Sequence, residues 1–208
     1  DCGVMEANGH QTKIIKRNSP NIKITYHEDL IEAENIMAQQ KITVIGQGFD
    51  VHAFGTETVN TIRLGGIDIN HPLNLKAHSD GDVVLHALTD ALLGAIGEGD
   101  IGLHFPPSDD QWKDKDSRFF LEEAVQMLHD KGGSINNADI TLICEKPKLK
   151  DMREPMRSSI ASLLQISPLQ VNVKATTTEK LGFTGREEGI ACQAVICAII
   201  NKDAVSIK

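Results

Sequence analysis

Asp50 and His52 stand two apart in the run Gly48-Phe49-Asp50-Val51-His52. In an extended segment residues at that spacing project to the same face, so a carboxylate and an imidazole can share one metal ion. His86 can supply a third ligand from the middle of a long predicted helix. Two histidines and one aspartate leave a tetrahedral position free for a ligand oxygen, the arrangement of a catalytic zinc rather than a closed structural one. Asp82 and Asp90 lie four residues either side of His86 on the same helical stripe. A carboxylate beside a ligating histidine fixes its tautomer and raises its basicity, so both are read as outer partners of His86. Taken alone, Asp-x-His is a weak signal: Asp50 reads equally as a turn residue and His86 as a satisfied core histidine.

A second constellation is the run Thr176-Thr177-Thr178-Glu179-Lys180-Leu181-Gly182-Phe183-Thr184-Gly185-Arg186. Successive hydroxyls, backbone amides freed by two glycines and two cations in one loop suit phosphate oxygens. Glu179 can hold a hard divalent cation that bridges phosphates. The same letters also describe a threonine-rich strand ending in a glycine turn. Ala77-His78-Ser79-Asp80-Gly81-Asp82 places polar groups at a helix N-terminus, where free amides favour an anion but where simple capping is also satisfied. Gly99-Asp100-Ile101-Gly102 with Phe105-Pro106, and Lys146-Pro147-Lys148, are loops with free charged groups; each alone is only a turn.

The elements that position these residues follow from periodicity. Lys41 to Ile45 alternates as a strand, and Gly46-Gln47-Gly48 reads as a tight loop after it. Thr61 to Leu64 and Ile67 to Ile69 flank Gly65-Gly66 as a hairpin. A helix is predicted from about Asp80 to Ile96, opened by Ser79 with Asp82 three residues on and closed by Gly97. A second, Ser117 to Asp130, has Asp116 as N-cap and Gly132-Gly133 as its stop. A third begins near Asp151, with Pro155 in its first turn, and ends before Pro168. Strands are predicted at Asp139 to Cys144, Val171 to Thr176 and Ile190 to Ile200. Alternating helices and strands give an α+β fold with an α/β-type layer arrangement, in which one mainly covered mixed sheet carries helices on one face.

A chain of 208 residues allows one full domain plus a modest appendage. A formal net charge of -8 repels polyanions, and aromatic residues at 4% supply no stacking groove, so neither nucleic acid nor an acidic membrane surface is an expected partner. Any phosphate ligand must be held by local cations or a metal. Cys2, Cys144, Cys192 and Cys197 form no CxxC pair and read as reduced thiols of a cytoplasmic protein. Cys192 and Cys197, five apart in one strand, point to opposite faces.

Read together, Gly48 to His52, Ala77 to Asp82 running on through His86-Ala87-Leu88-Thr89-Asp90-Ala91-Leu92, Gly99 to Gly102, and Lys174 to Arg186 resemble 2-C-methyl-D-erythritol 2,4-cyclodiphosphate synthase, from about Lys41 to Asn201. The resemblance implies zinc on Asp50, His52 and His86, the same Asp50 and His52 also meeting the substrate, and stabilisation of the transition state by His78 and Thr177. It implies that Ser79, Asp100, Gly102 and Phe105 line the methylerythritol phosphate side. Cys144 to Lys150, with Cys144, Pro147 and Lys148, and Thr176 to Thr178 would hold the cytidine and its phosphates. Glu179 would carry a second divalent cation, Mg2+ or Mn2+, and Phe183 and Arg186 match further ligand contacts. The implied reaction cyclises 4-diphosphocytidyl-2-C-methyl-D-erythritol 2-phosphate with release of CMP, in a homotrimer whose active sites are shared between adjacent chains. Pro107-Ser108 departs from the family, which more usually has an acidic residue after the first proline.

Residues 1–40 read as an appendage: Met5 to His10, Asn21 to Thr25, and Glu28-Asp29-Leu30 with Ala33-Glu34 resemble the extreme C-terminal end of the pathway's cytidylyltransferase. The expectation is the cyclase part of a bifunctional bacterial fusion, without a glycine-rich nucleotide loop of the transferase in this chain. Two other readings of the residues remain: a zinc-dependent phosphohydrolase using metal-bound water, and a non-enzymatic nucleotide or isoprenoid-diphosphate binding module.

Overall fold

The computed structural model describes residues 2–11, 13, 22–77, 79–112 and 115–204. Contacts divide the chain into two units, Asp1–Gln39 and Gln40–Lys208. The first holds a short helix α1 (Cys2–Ala7) and a longer one, α2 (His27–Gln39). Asp29 in the first turn of α2 accepts from the N–H groups of Thr25 and Tyr26, and those bonds hold its carboxyl below the usual range. Residues 22–25 form no regular element, and Asn21 lies outside the described residues.

In the second unit the alternation that begins at Lys41 does not stop at the glycines. It continues as one strand, β1 (Lys41–Thr58), so the expected tight loop is absent. Gly46 and Gly48 serve a different purpose. A Cβ at either position would stand 1.9 Å from a backbone oxygen of the facing helix, that of Ala91 or Ala87 respectively. The hairpin β2 (Thr61–Leu64) and β3 (Ile67–Asn70) forms as expected, with Gly65 and Gly66 at positive φ in its two-residue turn. A short strand β4 (Leu73–Leu75) follows.

The long helix α3 is Val83–Ile96, three residues shorter at its start than the pattern suggests. Its N-cap is Asp82, which accepts from the N–H groups of Val84 and Leu85, while Gly97 closes it in the left-handed conformation. Ser79 therefore lies outside the helix. After α4 (Ile101–His104) comes α5 (Ser117–Asp130), capped by Asp116 as expected. Strand β5 (Ser134–Ile143) begins five residues before the predicted start because its first half is polar on its outer side. A 3₁₀ turn at Lys150–Met152 leads into α6 (Arg153–Leu163), then β6 (Val171–Thr176), α7 (Gly182–Gly185) and β7 (Gly189–Asn201).

The five-stranded sheet has the order β4-β1-β7-β5-β6, with β5 and β6 parallel and the remaining pairs antiparallel. Helices cover one face. Ile190, Cys192, Ala194, Ile196, Ala198 and Ile200 of β7 are buried there against the apolar sides of α3 and its neighbours, including Leu85, Leu88, Leu92, Leu121 and Leu128. Each such leucine or isoleucine stabilises the fold by about 1.5–3 kcal/mol. Among the described residues no helix is long and apolar enough to cross a membrane.

Candidate active site

The period of two along β1 turns Asp50 and His52 to the helical side, and α3 brings His86 down onto them. His52 Nε2 lies 3.2 Å from His86 Nδ1. Asp50 Oδ2 lies 3.2 Å from His52 Nε2 and 3.1 Å from His86 Nδ1. Ligand atoms about 2.0–2.2 Å from one tetrahedral ion sit about 3.3–3.5 Å apart, so this triangle fits a divalent metal ion with only slight expansion. All three residues are half-buried, with the side chains 13–26% exposed. Burial opposes the charge on Asp50, but the two imidazoles beside it, when they carry their protons, outweigh burial and hold the carboxyl well below the usual carboxylate range. The donor set, two imidazoles and one carboxylate, is chemically suited to a borderline metal.

The outer partners of His86 are not the expected ones. Its Nε2 lies 2.8 Å from Ser117 Oγ and 3.1 Å from Ser79 Oγ. Asp82 is instead fully buried under the hairpin, accepting from the N–H groups of Gly65, Gly66, Val84 and Leu85 at 2.7–3.1 Å. Asp90 accepts from the Ile101 N–H at 2.8 Å and so ties α3 to α4. Burial raises the Asp90 carboxyl, with Asp100 and Asp50 adding to the shift. Position on the helical stripe placed both carboxylates near the imidazole, but backbone donors from other segments claim them.

A cavity of about 450 Å³ opens beside the triangle, lined by His52, Ser79, His86, Gly102 and Phe105 together with Ile101, Pro107, Asp110, Trp112 and Phe120. Trp112, Phe105, Phe119 and Phe120 pack ring to ring at its wall, with Phe105 and Phe120 centroids 4.8 Å apart. Much of the chain's small aromatic content gathers here, drawn from the single stretch Phe105 to Phe120, a local concentration that the overall figure of 4% conceals. Asp100 does not line the cavity; its carboxylate caps α4 by accepting from Leu103 N–H at 2.9 Å. His78 lies outside the described residues.

A second recess, about 200 Å³, is lined by Cys144, Pro147, Lys148, Leu149, Lys150, Arg153, Ala175, Thr176 and Thr177. Burial pushes the Cys144 thiol up to about 11, against the pull of Lys148. Thr178 faces inward, donating to Leu181 O at 2.6 Å and lying 3.0 Å from the buried Thr184 hydroxyl, and so holds the loop's shape. Glu179 accepts from Thr177 Oγ1 at 3.0 Å. Glu179 and Lys180 are both left-handed, a backbone state that costs non-glycine residues of order 1 kcal/mol each and that clusters where a loop's shape is used. Phe183 is partly exposed, and Arg186 forms a forked ion pair with Glu188 at 2.8 and 3.0 Å. In register, His52, Ile190, Ile143 and Thr176 lie at nearly one level of the sheet. The two recesses thus stand three strand spacings, about 14 Å, apart.

Fold and site together define a one-sided mixed sheet with a triangle of possible metal ligands at one recess and a second, threonine-lined recess farther along the sheet. The family model described as YgbB family matches residues 43–199, and the chain belongs to that family. It is 46% identical over 200 residues to the bifunctional enzyme IspD/IspF of Gluconobacter oxydans, covering 96% of this chain and 51% of that protein. It is 50% identical over 195 residues to the protein of the same name from Hyphomonas neptunium, covering 94% and 51%. The chain therefore spans about half the length of these curated relatives. Among solved structures, the bifunctional IspDF of Campylobacter jejuni matches with TM-score 0.73 and 44% identity, over 77% of this chain and 43% of that one. Plasmodium falciparum IspF in complex with CDP matches with TM-score 0.67 and 36% identity, over 77% and 97%.

Proposed function

We propose that the chain converts 4-diphosphocytidyl-2-C-methyl-D-erythritol 2-phosphate to 2-C-methyl-D-erythritol 2,4-cyclodiphosphate with release of CMP. The observation that carries this reading is the meeting of Asp50 Oδ2, His52 Nε2 and His86 Nδ1 within 3.2 Å at the wall of the larger cavity. An oxygen of the substrate's 2-phosphate attacks the β-phosphorus, and the bond from that phosphorus to the oxygen bridging it to the α-phosphate breaks, so CMP leaves with both electrons. The nucleophile is already anionic near neutral pH, so no strong general base is needed. The obstacle is repulsion between anions, which a zinc ion held by the triangle offsets as a Lewis acid when bound. Ser79, Gly102 and Phe105 hold the methylerythritol end. Cys144, Pro147, Lys148 and Thr176 hold the cytidine and its phosphate. Thr177 and His78 stabilise the transition state, while Lys180 and the loop amides take up developing charge. Glu179 would hold a second divalent cation, Mg2+ or Mn2+, which would offset charge on the diphosphate. Holding both ends of one molecule supplies the proximity, worth an effective molarity of about 10⁵ M or more in well-oriented internal reactions.

Three copies would share their sites, the nucleotide recess of one chain facing the metal recess of the next. The sheet face opposite the helices supports this, since Ile45 and Phe49 are 69% and 55% exposed on it. Asp1–Gln39 would be the end of a cytidylyltransferase partner in a cytoplasmic bacterial fusion, a reading that the bifunctional naming of the relatives supports as to the fusion. Incubation of the purified protein with the cytidylyl substrate, followed by phosphorus NMR, tests the reaction. Cyclic diphosphate and CMP in equal amounts are expected; linear phosphates would favour hydrolysis, and metal binding without turnover a binding module.

A further inference from the structure

Ser117 opens α5 and is fully buried, yet it does not cap that helix, because the Asp116 side chain does. Its hydroxyl has two close polar neighbours, with Ser79 Oγ farther off at 3.5 Å. On one side it is hydrogen-bonded to Asp80 Oδ1, and the Ser117 backbone N–H also donates to Asp80 Oδ2 at 3.3 Å. On the other it lies 2.8 Å from His86 Nε2. A carboxylate can only accept, so the Ser117 proton goes to Asp80 and Ser117 Oγ must accept from His86 Nε2–H. With its proton on Nε2, the imidazole turns a bare lone pair at Nδ1 toward Asp50 Oδ2 and His52 Nε2. The Nδ1 lone pair and the Asp50 carboxylate, two acceptors, then face each other at 3.1 Å with His52 Nε2 3.2 Å from both, an arrangement that a cation relieves. Ser79 Oγ, 3.1 Å from the same Nε2 and 3.5 Å from Ser117 Oγ, accepts from Gly81 N–H and lines the cavity.

We propose that Asp80 and Ser117 form a positioning relay that sets the tautomer and orientation of His86 for metal binding. The relay joins the loop before α3 to the first turn of α5, so it also fixes where α3 presents its histidine. This inference rests on the reading of Asp50, His52 and His86 as a metal site. Histidine ligands usually hand their second N–H to a carboxylate, a carbonyl or water, and loss of that partner typically weakens metal binding 10–100-fold. Here a serine hydroxyl stands between the imidazole and the carboxylate.

The test is zinc affinity of the full chain, stripped of metal and titrated in competition with a chromophoric chelator, for wild type, Ser117→Ala and Asp80→Asn. Thermal unfolding of each is recorded with and without zinc. Ser117→Ala should bind zinc about 10–100-fold more weakly with little change in the metal-free midpoint. Asp80→Asn, whose remaining carbonyl oxygen can still accept from Ser117, should lose less. Unchanged affinity in both variants would overturn the relay, as would equal falls of the midpoint with and without zinc, which would mark Ser117 as packing alone. Asp80→Asn keeps the test open should Ser117→Ala fail to fold. A wild type that binds no zinc would instead remove the metal site itself, and the relay with it.

Discussion

Gly48 lies so close to α3 that a Cβ there would stand 1.9 Å from the carbonyl oxygen of Ala87. Gly48 precedes Asp50 by two residues and Ala87 follows His86 directly, so this contact sets the distance between metal ligands on different elements. Gly48→Ala forces strand and helix apart. Overpacking of this kind costs about 1–3 kcal/mol, occasionally more. A midpoint lower by roughly 2–12 °C is expected at about 2–4 °C per kcal/mol for a chain of this size. Zinc affinity should fall by more than the relay variants show, because Asp50 and His86 would no longer reach one ion. Unchanged zinc affinity would mean that the close approach has no bearing on the triangle.

Asp82 holds two structures at once: its carboxylate caps α3 and binds the Gly65 and Gly66 amides of the hairpin turn. Removing a cap costs about 0.5–2 kcal/mol. Leaving a buried amide without an acceptor costs about 1–3 kcal/mol. Asp82→Ala should therefore lower stability by about 1.5–5 kcal/mol in urea unfolding, and Asp82→Asn by less, since one oxygen remains. A loss below about 1 kcal/mol for the alanine variant would show that other groups or water satisfy these donors.

Asp82 also shows what was legible from the residues alone and what was not. Asp50 with His52 could be read because their relation is a period of two within one strand, and α3 could be read because its apolar stripe is local. The role of Asp82 could not, since Gly65 and Gly66 lie 17 and 16 residues away in the chain. Ser117, 31 residues from His86, is likewise an ordinary first-turn serine until the fold joins them. Gly46-Gln47-Gly48 reads as a loop because glycine serves both tight turns and close packing. The signal that separates the two was present in Ala87, Ala91 and Ala95, small residues four apart that present a low surface to a facing strand. The Asp50–His52 pair and the helix that carries His86 were thus written in short-range periods, while the meeting of that pair with His86, 34 residues from His52, and the triangle's support lie in contacts between segments that no period links.

Burial pushes the Cys144 thiol up to about 11, and that of Cys192 well above its ordinary value. In the unfolded chain both titrate near about 8.5. A thiol with a raised folded value contributes stability that is present in full below about pH 8.5 and lost as pH rises toward the folded value, because the unfolded state gives up its proton first. Urea unfolding should accordingly show a decline from pH 8 to pH 10 that Cys144→Ser reduces in part. At pH 8 iodoacetamide should leave the Cys144 peptide largely unmodified in the folded protein and alkylate it rapidly in urea, read by mass spectrometry. Rapid alkylation of folded Cys144 at pH 8 would contradict the raised value.

Trp112 is the only tryptophan in the chain and stands in the wall of the larger cavity, with its ring centroid 5.2 Å from that of Phe105. The smaller recess has no tryptophan in its lining. Indole emission thus reports the methylerythritol side of the proposed substrate and is blind to a nucleotide held at Cys144, Pro147, Lys148 and Thr176. Titration with the cytidylyl substrate, or with the cyclic diphosphate product, should shift or quench the emission. CMP alone should bind, as calorimetry would show, without a comparable optical change. Phe105→Ala should weaken binding of the cyclic product several-fold while leaving CMP affinity close to wild type, since the ring lines only the first cavity. Equal quenching by CMP and by the cyclic product would mean that both ligands reach one recess, and the division of the substrate between two anchoring regions would fail.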